Sequence, residues 1–105
     1  MPKSIMEGDM KGRCYLCGAY APTELHHIFG GANRTRSERY GLYVHLCHYC
    51  HNEPPNGVHF NAGNNNRLKK RGQRAFEERF MYEYRCGQDM AREAFMKEFG
   101  RNYDI

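Results

Sequence analysis

The chain has no tryptophan, so an aromatic core must come from its eight Tyr and six Phe. It has no apolar run long enough for a membrane helix, which leads us to expect no membrane-spanning segment. Its first residues, MPKSIMEGDMKGR, lack the apolar core of a secretory signal, so the expected compartment is the cytoplasm, where thiols stay reduced. No internal repeat stands out beyond two short cysteine turns. Charge is not strongly one-sided: the formal net charge is +4 and the sequence pI about 8.9, which permits a polyanionic partner without requiring one.

With 105 residues there is room for one domain. Chains somewhat shorter than this often need a metal or disulfide staple. The cysteines indicate which. There are five, and four of them form the Cys-x-x-Cys pairs Cys14/Cys17 and Cys47/Cys50. An odd count in a reducing compartment argues for metal rather than disulfides. Two intervening residues let both sulfurs of a pair face one point, and two pairs complete the tetrahedron of a structural zinc. Cys86 has no partner at ligand spacing and reads as a plain thiol.

Residues 1–12 are polar and aperiodic and read as a flexible leader to a single domain over 13–105. Thr23 to Phe29 (TELHHIF) and Tyr40 to Leu46 (YGLYVHL) read as strands, separated by the polar, basic loop GANRTRSER. The composition of EPPNG marks a turn. A helix is expected from about Arg67 to Arg85, with Leu68, Phe76, Phe80 and Tyr84 on its apolar face and Gly87 closing it. A last helix, Met90 to Phe99, is expected to be capped by Asp89, with Ala91, Phe95 and Phe99 inward. The expected class is α+β: a small zinc-stapled core over about 14–60, with C-terminal helices over about 67–99.

The six histidines all fall near the cysteine pairs. His26 and His27 share a strand, and neighbours on a strand point to opposite faces, so the two cannot do the same job. His51 directly follows the second pair, and His59 follows the EPPNG turn. His45 and His48 read as structural or exposed. His48, between the two cysteines of its knuckle, can cover the zinc.

The segments CYLC, ELHHIFGG, LCHYCHN and GVHFN together resemble the HNH endonucleases of the ββα-metal superfamily, over residues 14 to about 60. The resemblance implies two strands and a helix around one divalent cation, flanked by zinc knuckles. It implies that His26, His51 and His59 bind that cation and that His27 is the general base. For His59 to join them, the EPPNG insert must bulge out. Magnesium or manganese is the implied ion, DNA the implied partner, and small proteins of this layout are often phage-encoded. One feature departs from the family: its central Asn is missing from YGLYVHLC, leaving Asn33, Tyr40 or His45 to fix the loop in its place.

Phosphodiester hydrolysis needs a base, a cation and a grip on the backbone. A His of near-neutral pKa suits the first and a bound divalent ion the second. For the grip, Arg34, Arg36 and Arg39 lie in the loop between the strands. Lys70 and Arg71, with Arg67 and Arg74, fall on one face of the long helix. Phosphate contacts of this kind are sequence-neutral and salt-dependent. The competing reading is a non-catalytic zinc module that binds nucleic acid or a protein, keeping the cysteines and basic patches but no second metal.

Overall fold

A computed structural model describes residues 1–105. The elements are strand β1 (Thr23–His27), a 3-10 turn (Gly31–Asn33), helix α1 (Arg34–Arg39), strand β2 (Tyr43–Cys47), and helices α2 (His48–Asn52), α3 (Ala62–Tyr84) and α4 (Gln88–Phe99). The class is α+β, with one two-stranded antiparallel sheet in which His26 pairs with Val44 and His27 with Tyr43.

A two-stranded sheet is marginal by itself, so both its faces need cover. Val44 and Leu46 are fully buried in the core with Ile28, Phe29, Leu42, Leu68, Phe95 and Phe99. The opposite face is covered by residues 2–9, which the sequence suggests are a loose leader. They are instead part of the fold. Ser4 Oγ donates to the Tyr43 carbonyl (2.7 Å), Tyr43 Oη donates to Pro2 O (2.7 Å), and Met6 is buried in the core. The Asp9 carboxylate accepts from the His45 backbone N–H and lies 2.8 Å from its Nδ1, with only 1% of its side chain exposed. Polarity alone concealed this, because the contacts are made by backbone and small polar groups. Gly41 makes the approach possible. Its φ of +68° is left-handed, and a Cβ there would run into the Lys3 carbonyl.

The stretch between the strands, expected as a loop, contains α1. Inside it Ser37 is fully buried. Its hydroxyl accepts from Phe29 N (3.2 Å) and donates to the Leu42 carbonyl, tying the end of β1 to the start of β2. Tyr40 and His45 do not act on this loop: Tyr40 packs against Phe76 and His45 is held by Asp9. Asn33 reaches elsewhere, donating to the Phe99 carbonyl at 3.2 Å.

Helix α3 begins earlier than its apolar pattern suggests. Asn61 caps it by accepting from Asn64 N (2.9 Å), which draws the Asn64–Asn66 cluster into the first turns. It ends not at Gly87 but at Arg85, which takes the left-handed conformation itself (φ +50°). Tyr84, expected on the apolar face, is 67% exposed. Gly87 is the N-cap of α4, and Asp89 lies within the first turn, where its charge favours the helix N-terminus without capping it. Helix α3 crosses the end of β1 closely at Gly72: a Cβ there would lie 3.0 Å from Ile28 Cγ2 and 3.1 Å from Phe29 Cε2. Helix α4 packs on α3 through Phe76 and Phe95 (centroids 5.4 Å apart).

The C-terminal residues return to α3. Gln73, fully buried, accepts from Tyr103 N (2.6 Å) and donates to Asn102 Oδ1 (2.8 Å). The buried Glu77 is paired with Arg92 (3.1 Å), which also reaches Asp104 (3.2 Å). This clasp sets Tyr103 against Phe29.

If residues 2–9 are integral to the fold, Asp9→Ala leaves the His45 amide without its partner. The expected loss is about 1–3 kcal/mol of unfolding free energy, measured by urea denaturation at constant zinc. An unchanged midpoint would show that this segment contributes nothing.

Candidate metal centre and adjoining cleft

Two side-chain clusters have metal-ligand chemistry, and both are built around the same corner of the sheet. The first is Cys14, Cys17, Cys47 and Cys50, whose sulfurs all lie within 4.8 Å of one another. Cys14 and Cys17 sit on the turn before β1. Cys47 ends β2 and Cys50 lies in α2. Each turn closes the same way: Cys17 N donates to Cys14 Sγ and Cys50 N to Cys47 Sγ, both at 3.5 Å. The turns are held together by Tyr15 N donating to the His45 carbonyl (2.8 Å).

The thiols' acidities diverge. Burial raises Cys14, but backbone N–H groups outweigh it and bring the thiol down to about 7. Burial and the neighbouring thiols push Cys50 well up, and burial also raises Cys47. Cys14 thus ionises readily while Cys47 and Cys50 resist, as expected where one thiolate disfavours a second beside it. The group is positioned to hold a metal ion, and four sulfurs from two Cys-x-x-Cys turns are consistent with structural zinc. His48 does not cover it. Its ring faces Glu24 (3.0 Å) and Glu53 (3.1 Å).

The second cluster is His26, His51 and His59, with ring nitrogens within 4.8 Å of one another. Three different elements bring them together. His26 projects from β1 and is buried. His51 is on α2, directly after the knuckle. His59 is returned by the EPPNG turn: Gly57 N donates to Glu53 O (2.7 Å), Val58 N to Cys50 O (2.8 Å) and His59 N to His51 O (3.3 Å). The insert thus does bulge, and Gly57 is what allows it, since a Cβ there would lie 2.7 Å from both Glu53 N and Glu53 O.

Glu24 orients the cluster. It shares a strand face with His26, two residues away. Its Oε1 lies 2.8 Å from His51 Nδ1 and accepts from Asn52 Nδ2 (3.0 Å). With His51 donating from Nδ1, its Nε2 lone pair is left facing His59 Nε2, 2.9 Å away. A carboxylate that fixes a histidine tautomer in this way is the usual support for a metal-ligating imidazole. The hydrogen bond from His51, then that from His48, hold the Glu24 carboxyl down at about 2, so it stays ionised. Burial, then the charges of His51 and His59, bring His26 down to about 3, and burial also lowers His59. Both rings are therefore neutral, the form that binds a cation. His26 Nε2 is buried and has no hydrogen-bond partner. The donor set fits a divalent ion that accepts imidazole.

A cleft of about 550 Å³ opens beside these rings, lined among others by His26, His27, His51, His59, Asn33, Arg34, Asn65, Lys69 and Tyr103. His27 Nε2 lies 3.4 Å from Glu38 Oε2 without making a hydrogen bond. In the whole protein, three buried side-chain N or O atoms lack a partner: His26 Nε2, His27 Nε2 and Asn65 Oδ1. All three belong to residues lining this cleft.

The expected basic surface is dispersed. Arg34 lines the cleft. Arg36 faces Glu98 (3.6 Å), and Arg39 borders a separate hollow with Lys3 and Arg79. On α3, Lys70 and Arg74, both partly exposed, face Asp104 (3.8 and 3.1 Å). Arg71 lies near Tyr15, beside the cysteine knuckle. Sequence reasoning overlooked Glu24, Asn65 and Lys69. The i, i+2 spacing of Glu24 and His26 was a usable signal. Nothing local marked the α3 residues.

Comparison of the chain with family models, with curated proteins and with solved structures found no match.

Two outcomes are expected on metal analysis. Purified protein should carry one tightly held zinc per chain, lost in Cys17→Ser along with the cooperative unfolding transition; a Cys17→Ser protein that keeps both would remove the metal from the fold. Gly57→Ala should keep that zinc but weaken binding of a second, exchangeable ion at least about 10-fold, the range seen when support for a metal ligand is lost. Equal affinity in a titration with nickel would show that His59 is not a ligand.

Proposed function

We propose that this chain is an HNH-type, metal-dependent endonuclease that hydrolyses DNA phosphodiester bonds, its ββα core stapled by zinc. The observation that carries the reading is the cleft: every unpartnered buried polar side-chain atom of the protein belongs to a residue that lines it, next to three converging imidazoles. Buried polar groups are ordinarily satisfied, and exceptions that gather in one place point to a ligand or a reaction. The ELHH and LCHYCHN segments, which resemble the HNH motifs, supply those imidazoles.

In this reading His26, His51 and His59 hold the working ion, with Glu24 keeping His51 in the right tautomer. When bound, a divalent cation supplies Lewis acidity to the phosphate and the leaving 3′-oxygen. The resemblance implies magnesium or manganese. A donor set of three imidazoles and no carboxylate binds nickel or zinc more tightly than manganese, and manganese more tightly than magnesium.

His27 is the base. Its ring lines the cleft, and the lone pair of its buried Nε2 is committed to no hydrogen bond, as a base needs. Glu38, 3.4 Å away, stabilises the imidazolium that results. Ser37 maintains the position of β1 by tying Phe29 to Leu42, the task left open by the missing Asn.

The test is plasmid nicking with magnesium, manganese or nickel added, for wild type and His27→Ala side by side. Wild type should cut only with an added ion, and His27→Ala should lose about 10²- to 10⁴-fold in rate with its zinc and fold intact. Cleavage by the variant at the wild-type rate would remove His27 as base. A well-folded wild type that fails to cut with any of the three ions would leave a non-catalytic zinc module as the better description.

A further inference from the structure

The wall that α3 contributes to the cleft lies outside the motif-bearing segment. Asn65 and Lys69 are four residues apart, so they project from one face of the helix. Both line the cleft. Asn65 brings an amide oxygen that is buried and unpartnered. Lys69 brings a half-buried ammonium with no carboxylate within ion-pair distance, whereas Lys70 and Arg74 of the same helix are both paired with Asp104. Its Nζ lies 5.5 Å from the centroid of Tyr103. That ring is itself anchored through Gln73, so the C-terminal clasp props the lysine in place.

This placement is electrostatically unfavourable on its own. An uncompensated cation stands beside a cluster of imidazoles positioned to hold another cation. Arg34, exposed and also without an acidic partner, adds a second positive charge to the same cleft. An anion bound between the cations and the imidazoles would relieve the repulsion. The cleft is open and large enough for a polymer backbone rather than a small ion alone.

We infer that Lys69, with Arg34, forms a phosphate-binding wall that holds a phosphodiester of the substrate backbone against the imidazole cluster, Asn65 Oδ1 accepting a hydrogen bond from water bound there. The inference rests on the nuclease reading for the identity of the phosphodiester, and it names the residues that grip it. Arg34 is one of those the basic loop suggested and Lys69 is not; of the other expected residues, Lys70 faces Asp104 and Arg39 lies elsewhere.

The experiment measures affinity for a short DNA duplex as a function of salt, without added divalent ion, for wild type, Lys69→Gln, Lys69→Arg and Lys97→Gln. Lys97, on α4, removes the same charge away from the cleft. Lys69→Gln should weaken binding several-fold and reduce the log–log salt slope by about 0.9, the value for one phosphate contact. Lys69→Arg should keep the slope, and Lys97→Gln should match wild type. In the nicking assay Lys69→Gln should also lower kcat about 10²-fold, as loss of a donor to transition-state charge does, at unchanged zinc content. If Lys69→Gln fails to retain zinc, Arg34→Gln on the exposed rim should give the same drop in slope. Binding by Lys69→Gln or Arg34→Gln indistinguishable from Lys97→Gln overturns the inference even if wild type cuts DNA. A slope that falls as expected while wild type cuts nothing supports the phosphate wall and removes the hydrolytic reading. No DNA binding by wild type overturns both.

Discussion

Four thiols meet at one corner of the sheet. Cys14 and Cys17 come from a turn ahead of β1, Cys47 and Cys50 from the end of β2 and the start of α2, and their convergence, with the Tyr15 N–H to His45 carbonyl bond, joins the two halves of that corner. The sheet has two strands, too few to be stable without support. The cysteine node holds one end. Ser37 ties the other by bonding Phe29 to Leu42. Between these fixed ends β1 cannot slip in register, and a slip of one residue would exchange His26 for His27 on every face.

The arrangement of the histidines follows. His51 is the residue after a cysteine, so its place is set by the knuckle. His59 is tied to His51 backbone to backbone and inherits that position through the Gly57 turn. His26 is delivered from the opposite strand. Glu24, on the same face of β1, then reaches His51, so the carboxylate that orients one imidazole is carried by the strand that supplies another. A change in β1 register would therefore lose a ring and its neighbour's support together.

The helices have a different task. Leu68, Gly72 and Phe76 of α3 pack on the end of β1 and on α4, and the buried Gln73–Glu77–Arg92 network straps the C-terminal residues across them. A half-satisfied buried polar network would be costly. Here each member has partners, and the result is a definite position for Tyr103 and, through it, Lys69. The same network places Asp104 beside Lys70 and Arg74, whereas Lys69 has no acidic partner.

Spacing and alternation in the chain determined a good deal without help. Two Cys-x-x-Cys turns imply four convergent sulfurs because the geometry is local to each turn. Period-two alternation separates His26 from His27, and the apolar spacing of Leu68, Phe76, Phe95 and Ala91 marks the two long helices. These signals depend only on neighbours along the backbone. What depended on residues distant in sequence was not legible. The docking of residues 2–9 rests on side chain–backbone bonds to β2 that span 36 to 41 positions. The pairing of Asp104 with Lys70 and Arg74, and the entry of Asn65 and Lys69 into the cleft, were decided where the C-terminal residues fold back onto α3. Charge and hydrogen-bonding partners are settled by distance in space, so only tertiary structure could say which of the basic residues were left free for an anion.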